Sequence, residues 1–440
     1  MAKPKLTALG GDIFAGLFTV GVKRAGFEVL GHLEHTTYGT KTAKLNFPGL
    51  DIRNGVHTWN PHEYTGKVDF MYTNPPCAAW SAMQVSTPWQ EHTERLQIIR
   101  DLTAAGLIIK PKAWVWESVM GAWRRGKEFI LEEAEKWLAH GYHVTILLQN
   151  NMHLGVSQNR PRVLVIAHQY PLIWPKFIEP QTTRQLLASM PKGLGKSPVK
   201  EPPLPDSLKQ LWGECENMGY TLRRALVTKT AAEQAKLKPR PAMTVNRMKL
   251  DDVPGTFIGA SKRLHPKIAR NLNWFECLAL AGLPMDWKTS QKSLEPASLE
   301  LSRAVMPAVG EWLGTAVKNG LKKPPLDAKR PVCRLVDLRD PENTHEEVLM
   351  TFVPPKKPPA VEWNPVAPEP KLTRSGEPRA PRTPRDGRPG SGQRMRELLE
   401  QGLDTQGVLE VIHKEFPEST AGPSDVSWNR RKLRQLKGEK

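Results

Sequence analysis

Two consecutive prolines, Pro75 and Pro76, constrain this chain more than any other feature of its sequence. They follow the apolar run 68–72, which predicts a buried strand, and each proline fixes φ and lacks the N–H that a strand ladder uses. The strand must therefore end in a stiff loop, with Cys77 directly after the prolines. A thiol on a rigid loop at a strand end is placed to act as a nucleophile, although most isolated cysteines are small buried hydrophobes.

Residues 6–170 alternate between strand patterns and helix patterns, which predicts an α/β fold. A strand near 6–9 leads into a glycine turn over 10–16 and then a helix, and the second strand ends at Glu34. This order is the one that a nucleoside cofactor requires, because glycine lets the backbone approach the ligand and the carboxylate can hold two ribose hydroxyls. Glu34 is equally well explained as a solvated acid at a strand end.

Two further acids stand at predicted strand ends. Asp51 follows the place where a third strand ends, and the apolar run 110–119 carries Glu117 near its end. A glutamate that ends a buried strand is costly without a partner, so Glu117 is a functional candidate. The alternative is an ordinary acid at the N-terminus of a helix that begins near 119–121.

Arg160 and Arg162 stand just before the apolar strand 163–167. An amphipathic helix pattern at 128–140 and a strand at 142–148 precede them. The two arginines put fixed positive charge at the rim of the predicted sheet, although ordinary surface cations would show the same pattern.

Beyond residue 170 the pattern changes. The periodicity fades over 171–240, where a single short helix is predicted at 206–212, and helices are predicted again at 271–280 and 300–317. Residues 331–392 are predicted to form a Pro-rich, basic linker, since such a composition cannot bury enough surface to fold.

The tail, 393–440, regains helical patterns. Two short helices are predicted near 395–399 and 408–412, and a third over 424–434 has a dense basic face. Three short helices with a basic last one are typical of a helix-turn-helix-like DNA-binding module, and a bundle that contacts another protein is the alternative. The candidate phosphate contacts on the last helix are Arg430, Arg431, Lys432 and Arg434.

Composition limits the class of binding partner and the cellular compartment that we expect. The formal net charge of +18 over 440 residues favours a polyanionic partner, most simply nucleic acid. The four cysteines are scattered without a CxxC pair, which gives no disulfide framework and no metal site and favours a reducing compartment. No apolar run reaches membrane-spanning length and the N-terminus lacks a signal-peptide core, so we expect a soluble, cytoplasmic protein.

Taken in order, these pieces resemble the DNA (cytosine-5) methyltransferase family over roughly residues 6–318. The matching motifs are Asp12-Ile13-Phe14-Ala15-Gly16, Glu34, Asp51-Ile52, Pro75-Pro76-Cys77 with Trp80-Ser81, Glu117-Ser118-Val119, Gln158-Asn159-Arg160-Pro161-Arg162, and the segment from Arg240-Pro241 through Gly282-Leu283-Pro284. The resemblance implies a Rossmann-like S-adenosylmethionine-dependent methyltransferase core (1–170), a small target-recognition region (171–239), and a return of the chain to the core (240–330). The linker (331–392) and the helical module (393–440) follow.

The resemblance also implies residue roles. The catalytic set is Cys77, Glu117, Arg160 and Arg162, with Cys77 adding to C6 of a flipped cytosine and the arginines holding the base and favouring the thiolate. The set that binds S-adenosylmethionine is Asp12, Phe14, Ala15, Gly16, Glu34, Asp51 and Pro75. Ser81 and Gln158 would contact the nucleic acid. The implied protein is a monomer without a metal that acts on double-stranded DNA in a bacterial or virus-infected bacterial cell.

Three departures from the family pattern are visible in the sequence. Ser118 stands where the family has an asparagine that braces the catalytic loop, the glycine turn is about two residues shorter than usual, and Ser302-Arg303 replaces the usual Gly-Asn. The alternatives are a transfer RNA cytosine-5 methyltransferase with the same core motifs, an amino-group methyltransferase, and a DNA-binding protein on a decayed methyltransferase fold. Cys77 argues against amino-group chemistry, which needs no covalent thiol.

Overall fold

The computed structural model describes residues 5–34, 36–81, 88–204, 209, 245–257, 262–363, 365, 391–401, 403–415 and 426. The chain forms two compact units, Met1–Ala367 and Pro368–Lys440. Within the described ranges, no helix has the length and apolar character needed to cross a membrane. The same ranges contain no group of three or more His, Cys, Asp or Glu side chains arranged to hold a metal ion.

The first unit contains both strands and helices. Its strands are β1 (Thr7–Ile13), β2 (Glu28–Glu34), β3 (Asp51–Asn54), β4 (Phe70–Thr73), β5 (Ala113–Val119), β6 (His143–Asn150), β7 (Pro161–His168), β8 (Val245–Arg247), β9 (Lys262–Leu264), β10 (Val332–Leu338) and β11 (His345–Thr351). Its helices are α1 (Leu17–Arg24), α2 (Thr37–Asn46), α3 (Thr93–Ile109), α4 (Met120–Arg125), α5 (Lys127–Ala139), α6 (Thr183–Ser189), α7 (Trp274–Ala281), α8 (Leu294–Arg303) and α9 (Pro307–Gly320).

Nine of these strands form one sheet in the order β11-β10-β6-β7-β5-β4-β1-β2-β3. The five strands from β5 to β3 in this order are parallel to one another, whereas β7 runs antiparallel between β5 and β6. Strand β10 is parallel to β6, and β11 closes that end as an antiparallel edge. The predicted α/β class is confirmed. Strands β8 and β9 form a separate parallel pair.

Both faces of the sheet are covered, which explains why the central strands read as nearly continuous apolar runs. One face packs against α1, α7, α8 and α9 through large side chains such as Phe18, Trp274 and Trp312. The other face packs against α3 and α5, where Trp114, Trp116 and Trp137 are almost fully buried. The helix patterns predicted at 128–140 and 271–280 correspond to α5 and α7.

The sheet brings Glu34, Glu117 and Arg162 to one edge, where the loop after β4 carries Cys77. In parallel strands the carboxyl ends meet at a single edge, and ligands bind where the strand order reverses, here between β1 and β4. Because β7 runs the opposite way, its first residues lie at that same edge, with Arg162 opposite Val119 of β5.

Two predictions about the second half of the chain are wrong. The predicted helix at 300–317 is two helices, α8 and α9, because Pro307 cannot continue a helix interior and instead occupies the first turn of α9. The predicted linker at 331–392 begins too early, since β10 and β11 extend the central sheet and Val361 and Trp363 pack against its second core. Residues 366–390 lie outside the described part of the chain.

The second unit has its own small core. Its helices α10 (Ser391–Glu400) and α11 (Thr405–Glu415) correspond to the two tail helices that the sequence predicts. Buried side chains of this core are Met395, Leu398, Val408, Ile412 and Val426. The third predicted helix, 424–434, and the helix predicted at 206–212 lie outside the described residues, apart from single positions.

Candidate active site

The loop that carries Cys77 is tied down on both sides. Strand β4 ends at Thr73, whose hydroxyl donates to the Val115 carbonyl at 2.9 Å, and the Asn74 N–H donates to the Gly11 carbonyl at 3.3 Å. The two prolines follow, and a 3-10 helix then begins at Cys77 and ends at Trp80. The thiol is half-buried at the start of this helix, which is the presentation that the sequence predicts.

Trp80 anchors the far end of the loop. Its side chain is almost fully buried, and the absence of a Cβ at Gly121 and Gly126 makes room for its carbonyl and indole. Arg125 Nη2 donates to the Ser81 carbonyl at 3.0 Å, just before the stretch 82–87 that lies outside the described residues. The predicted nucleic-acid contact Ser81 is thus half-buried beside Cys77, with its main chain held by α4.

Glu117 lies at the centre of the site. It is buried, and its two carboxylate oxygens are held from opposite sides. Arg162 Nε lies 3.0 Å from Oε1, and Asn74 Nδ2 donates to Oε2 at 2.8 Å. One carboxylate therefore joins β5, β7 and the cysteine loop. The buried Glu117 has two partners, Arg162 and Asn74.

The structure places two predicted site residues of the segment 158–162, Gln158 and Arg160, against the protein's own main chain. Gln158 is fully buried, with its amide nitrogen donating to the Leu280 carbonyl at 2.7 Å and its amide oxygen accepting from the Phe257 N–H at 2.9 Å. Arg160 is 2% exposed and donates to the carbonyls of Phe257, Ser302 and Ala304. Both side chains brace the return segments against the edge of the sheet.

The charged groups of the site are close together and shift one another's pKa values. Burial raises the pKa of the Cys77 thiol, the Glu117 charge raises it further, and Arg162 and Arg160 lower it. The two arginines thus favour the thiolate, as expected, but burial raises the pKa of Cys77 by more than the arginines lower it. Burial likewise raises the pKa of Glu117 against the pull of the two arginines, and burial lowers the pKa of Arg160 to about 9.

The predicted cofactor turn joins β1 to α1. Asp12 and Ala15 both have φ of 51° and Gly16 has φ of 81°, so three residues of the turn occupy the left-handed region. Among the described residues, no side chain caps the first turn of α1, and the Leu17 N–H donates to the Phe14 carbonyl at 3.4 Å. Phe14 and Pro75 are buried beside this turn and the cysteine loop.

Glu34 ends β2 and bonds directly to the turn. Its Oε2 accepts from the Ala15 N–H at 2.9 Å, and its Oε1 lies 3.4 Å from His32 Nε2. His32 Nδ1 lies 3.1 Å from the Thr19 hydroxyl, which in turn lies 2.8 Å from the Tyr72 hydroxyl. Burial lowers the pKa of His32 to about 3 and raises that of Glu34 well above its usual value.

This buried chain of polar groups is absent from the sequence prediction. The signal that would have found it is the placement of His32 two residues before Glu34, because alternate residues of a strand share a face. The groups at the turn fit a nucleoside cofactor. Glu34 Oε1 is a buried acceptor with no hydrogen-bond donor among the described residues, and the first turn of α1 offers uncapped N–H groups.

The predicted placement of Asp51 is wrong. Asp51 begins β3 instead of ending it, and it is level with Gly31, whereas Asn54 is level with Glu34 at the carboxyl edge. Its half-exposed carboxylate bonds to Arg53 and lies 3.4 Å from the Tyr64 hydroxyl. A pattern of apolar residues locates a short edge strand only to within a few positions, so the strand end was misplaced. Asp51 therefore lies at the start of β3, away from the carboxyl edge at which Glu34 ends β2.

The remaining predicted nucleic-acid contacts, Arg430, Arg431, Lys432 and Arg434, lie outside the described residues.

The sheet order, the turn after β1 and the acid that ends β2 define the class: a Rossmann-like methyltransferase fold. Solved structures agree. A DNA modification methyltransferase encoded within a prophage (E. coli) superposes with a TM-score of 0.54 at 18% identity, over 72% of this chain and all of that one. The methyltransferase EhMeth of Entamoeba histolytica superposes with a TM-score of 0.53 at 15% identity, over 73% of this chain and all of that one. The predicted fold class is confirmed.

Within that class, the chain belongs to the C-5 cytosine-specific DNA methylase family, whose family model matches residues 10–319. Curated relatives include the type II methyltransferase M.HgiCII of Herpetosiphon aurantiacus, 27% identical over 217 residues, or 48% of each chain. The type II methyltransferase M.AplI of Arthrospira platensis is 27% identical over 176 residues, or 38% of this chain and 47% of its own length. The matched part of the chain spans about half the length of these curated relatives.

Proposed function

We propose that this protein is an S-adenosylmethionine-dependent DNA (cytosine-5) methyltransferase. The observation that carries the proposal is the junction of three elements at one sheet edge: the Cys77 loop, Glu117 of β5 and Arg162 of β7. Membership of the C-5 cytosine-specific DNA methylase family supports the same reaction. The enzyme is also proposed to act as a monomer.

Cys77 is the nucleophile of the proposed reaction. The C5 atom of cytosine is a poor nucleophile until a group adds at C6, so the Cys77 sulfur forms a bond to C6 and electron density moves to C5. Since C6 is covered inside a stacked duplex, the cytosine must leave the helix, at a cost of a few kcal/mol that phosphate contacts offset. The C5 atom then takes the methyl group as the bond from that carbon to the sulfonium sulfur breaks. Water takes the C5 proton, and the Cys77 thiolate leaves as the C5–C6 double bond re-forms.

Glu117 balances the charge on the ring. Its raised pKa keeps a proton available at higher pH than an exposed glutamate would. In the proposed reaction it donates that proton to N3 as the sulfur adds to C6, and it takes the proton back when the sulfur leaves. The N3 and exocyclic amine edge of cytosine presents one acceptor and one donor, which a carboxyl group complements.

Arg162 fixes Glu117 and supplies the positive charge of the site. Its guanidinium lies on Glu117 Oε1 and is itself almost buried, so its field acts through a medium of low dielectric. Arg162 thereby opposes the effect of burial on both Glu117 and Cys77. Formation of the thiolate is favoured once the base enters and Glu117 is protonated, because the negative charge beside the sulfur is then removed.

The cofactor end of the site is the turn after β1. S-Adenosylmethionine supplies an electrophilic methyl group on a sulfonium centre. Glu34 would hold the ribose hydroxyls, and the uncapped first turn of α1 would bind the carboxylate of the methionine part. Phe14 lies beside the turn as an apolar surface.

The second unit is proposed to add affinity for double-stranded DNA. The net charge of +18 and the basic stretch 430–434 support this role. A chain truncated after residue 367 keeps the segment that packs on the first unit. It should bind DNA more weakly and with a shallower salt dependence than the full chain, yet methylate the same sequence. A changed target sequence would contradict this division of roles.

Transfer of labelled methyl groups tests the proposed function. The full chain is incubated with labelled S-adenosylmethionine and either unmethylated duplex DNA or transfer RNA, and the product base is identified. We expect 5-methylcytosine in DNA with the wild type and with Cys333→Ala, a buried thiol of β10 outside the site, and none with Cys77→Ser. Label in transfer RNA alone would overturn the substrate, and cofactor binding without transfer to either would overturn the activity.

A further inference from the structure

Asn74 makes a contact that the sequence did not suggest. Its amide Nδ2 donates to Glu117 Oε2 at 2.8 Å, opposite the oxygen that faces Arg162. The two donors therefore approach the carboxylate from separate parts of the chain, and together they define the plane of the carboxyl group. With one donor alone, the carboxyl group would be free to rotate about the bond that joins it to the side chain.

The backbone makes Asn74 a rigid support. The Asn74 N–H donates to the Gly11 carbonyl in β1. The proline that follows restricts the φ and ψ angles of Asn74 to the extended region. The side chain is 2% exposed and is aimed across the loop at β5. An amide held in this way needs little reorganisation when the site is used.

Asn74 is also an expensive residue to keep. Its Oδ1 is buried and has no hydrogen-bond donor among the described residues, and a buried acceptor without a donor disfavours the folded state. A side chain that only filled space would carry no such cost. The neighbouring Ser118 does not share the task, because its buried Oγ has no partner in the described part of the chain.

We propose that Asn74 is a positioning residue that holds Glu117 in the orientation in which it meets the N3 edge of the cytosine. The proposal rests on the proposed function, and it assigns to the cysteine loop a second task besides presenting the thiol. The loop and the glutamate are then coupled. When the loop shifts Cys77 relative to the base, it shifts one of the two donors that orient Glu117.

The chemistry of the contact predicts its effect. A donor to a carboxylate favours the ionised form, so loss of the Asn74 amide should raise the pKa of Glu117 further. The part of the pH–rate profile that Glu117 controls should then move to higher pH. Asn74→Asp, which has the same shape, places a second carboxyl beside Glu117 and should move it further than Asn74→Leu does.

The experiment compares Asn74→Leu and Asn74→Asp in the full chain by single-turnover methyl transfer over a range of pH. We expect the rate of transfer to fall about 10- to 100-fold, the KM for DNA to stay within about twofold, and the profile to shift as described. The matched control is Asn343→Leu, which removes an amide bound to the Asp340 carboxylate at 2.7 Å in the β10–β11 turn. That variant should retain the wild-type rate and profile.

A double-mutant cycle separates positioning from folding. In a Glu117→Gln background, Asn74→Leu should cause little further loss, since the group it positions has already been changed. Equal losses with and without Glu117, or an unshifted profile in a folded Asn74→Asp variant, would overturn the proposal. Failure of the wild type to transfer methyl groups would instead overturn the proposed function.

Discussion

Arg162 Nε lies 3.0 Å from Glu117 Oε1, and the two residues come from adjacent antiparallel strands with Val119, not Glu117, directly opposite Arg162. The long guanidinium arm therefore reaches diagonally back along β5. This geometry places the positive charge of Arg162 beside the Glu117 carboxylate and leaves the carboxyl edge of the sheet open to the cysteine loop. Since both side chains are almost buried, neither tolerates loss of the other.

Arg162→Met should destabilise the protein because it leaves a buried carboxylate with a single donor. We expect a loss of about 3 kcal/mol at neutral pH. The loss should shrink as the pH falls, because the variant raises the pKa of Glu117 and protonation then removes the buried charge. Urea unfolding at two pH values measures it. Arg184→Met, which breaks the exposed ion pair with Asp251, should leave the midpoint unchanged, and an equally small effect at Arg162 would contradict the burial argument.

Gly126→Ala should disturb the anchor of the catalytic loop. An added Cβ would overlap the Trp80 indole, whose ring is packed among Trp89, Trp116 and Phe129 and has no space to retreat. Overpacking of this kind costs about 1–3 kcal/mol, and displacement of Trp80 should lower the rate of transfer as well. Gly195→Ala is the control, because its added Cβ meets open space. Identical thermal midpoints for the two variants would refute the proposed anchor.

His168 should make the stability depend on pH below 6.5. It is buried as a neutral ring, with Nδ1 2.7 Å from the Tyr170 carbonyl and Nε2 2.9 Å from the Thr145 hydroxyl, and burial lowers its pKa to about 3. The unfolded chain takes up this proton near pH 6.5 and the folded chain does not, so stability is lost as the pH falls from 6.5 towards 3, at about 1.4 kcal/mol per pH unit. Since His32 behaves in the same way, His168→Gln should remove part of the slope and the exposed control His345→Gln none of it. An unchanged slope in His168→Gln would contradict the assignment.

His32→Leu should weaken cofactor binding through Glu34. The substitution removes the polar ring nitrogen that lies 3.4 Å from Glu34 Oε1 and places an apolar side chain beside that buried oxygen. We expect the Kd for S-adenosylmethionine, measured by calorimetry, to rise about 10-fold, while transfer at saturating cofactor stays close to wild type. Tyr72→Phe, at the far end of the same chain of groups, should have a smaller effect. Equal effects of the two variants, or none from His32→Leu, would show that Glu34 is positioned in another way.

The residues that the sequence located correctly are those whose position follows from local chemistry. Pro75 and Pro76 had to end β4, and apolar runs that end in Glu34 and Glu117 had to bring those acids to a sheet edge. In each case the physical constraint lies within a few residues of the group itself. The segments that connect these strands do not change where the prolines and the two acids lie.

The sequence could not predict contacts that depend on distant partners. Whether Gln158 and Arg160 face the substrate or the protein is decided by Phe257 and by the segment near Ser302, which are 97 to 142 positions away. The prolines beyond residue 353 dominated the composition of the region that contains β10 and β11, although Val332–Leu338 is a partly buried strand beside β6. Local composition cannot reveal such pairing.

The most direct measurement is covalent trapping of the full chain on duplex DNA that contains 5-fluorocytosine, in the presence of S-adenosylmethionine. Fluorine at C5 prevents the loss of the proton that releases Cys77, so the sulfur stays bonded to C6. We expect a denaturation-resistant adduct that mass spectrometry assigns to Cys77 and that Cys77→Ser does not form. Absence of any adduct across a library of duplex sequences, with the protein folded and the cofactor bound, would contradict it.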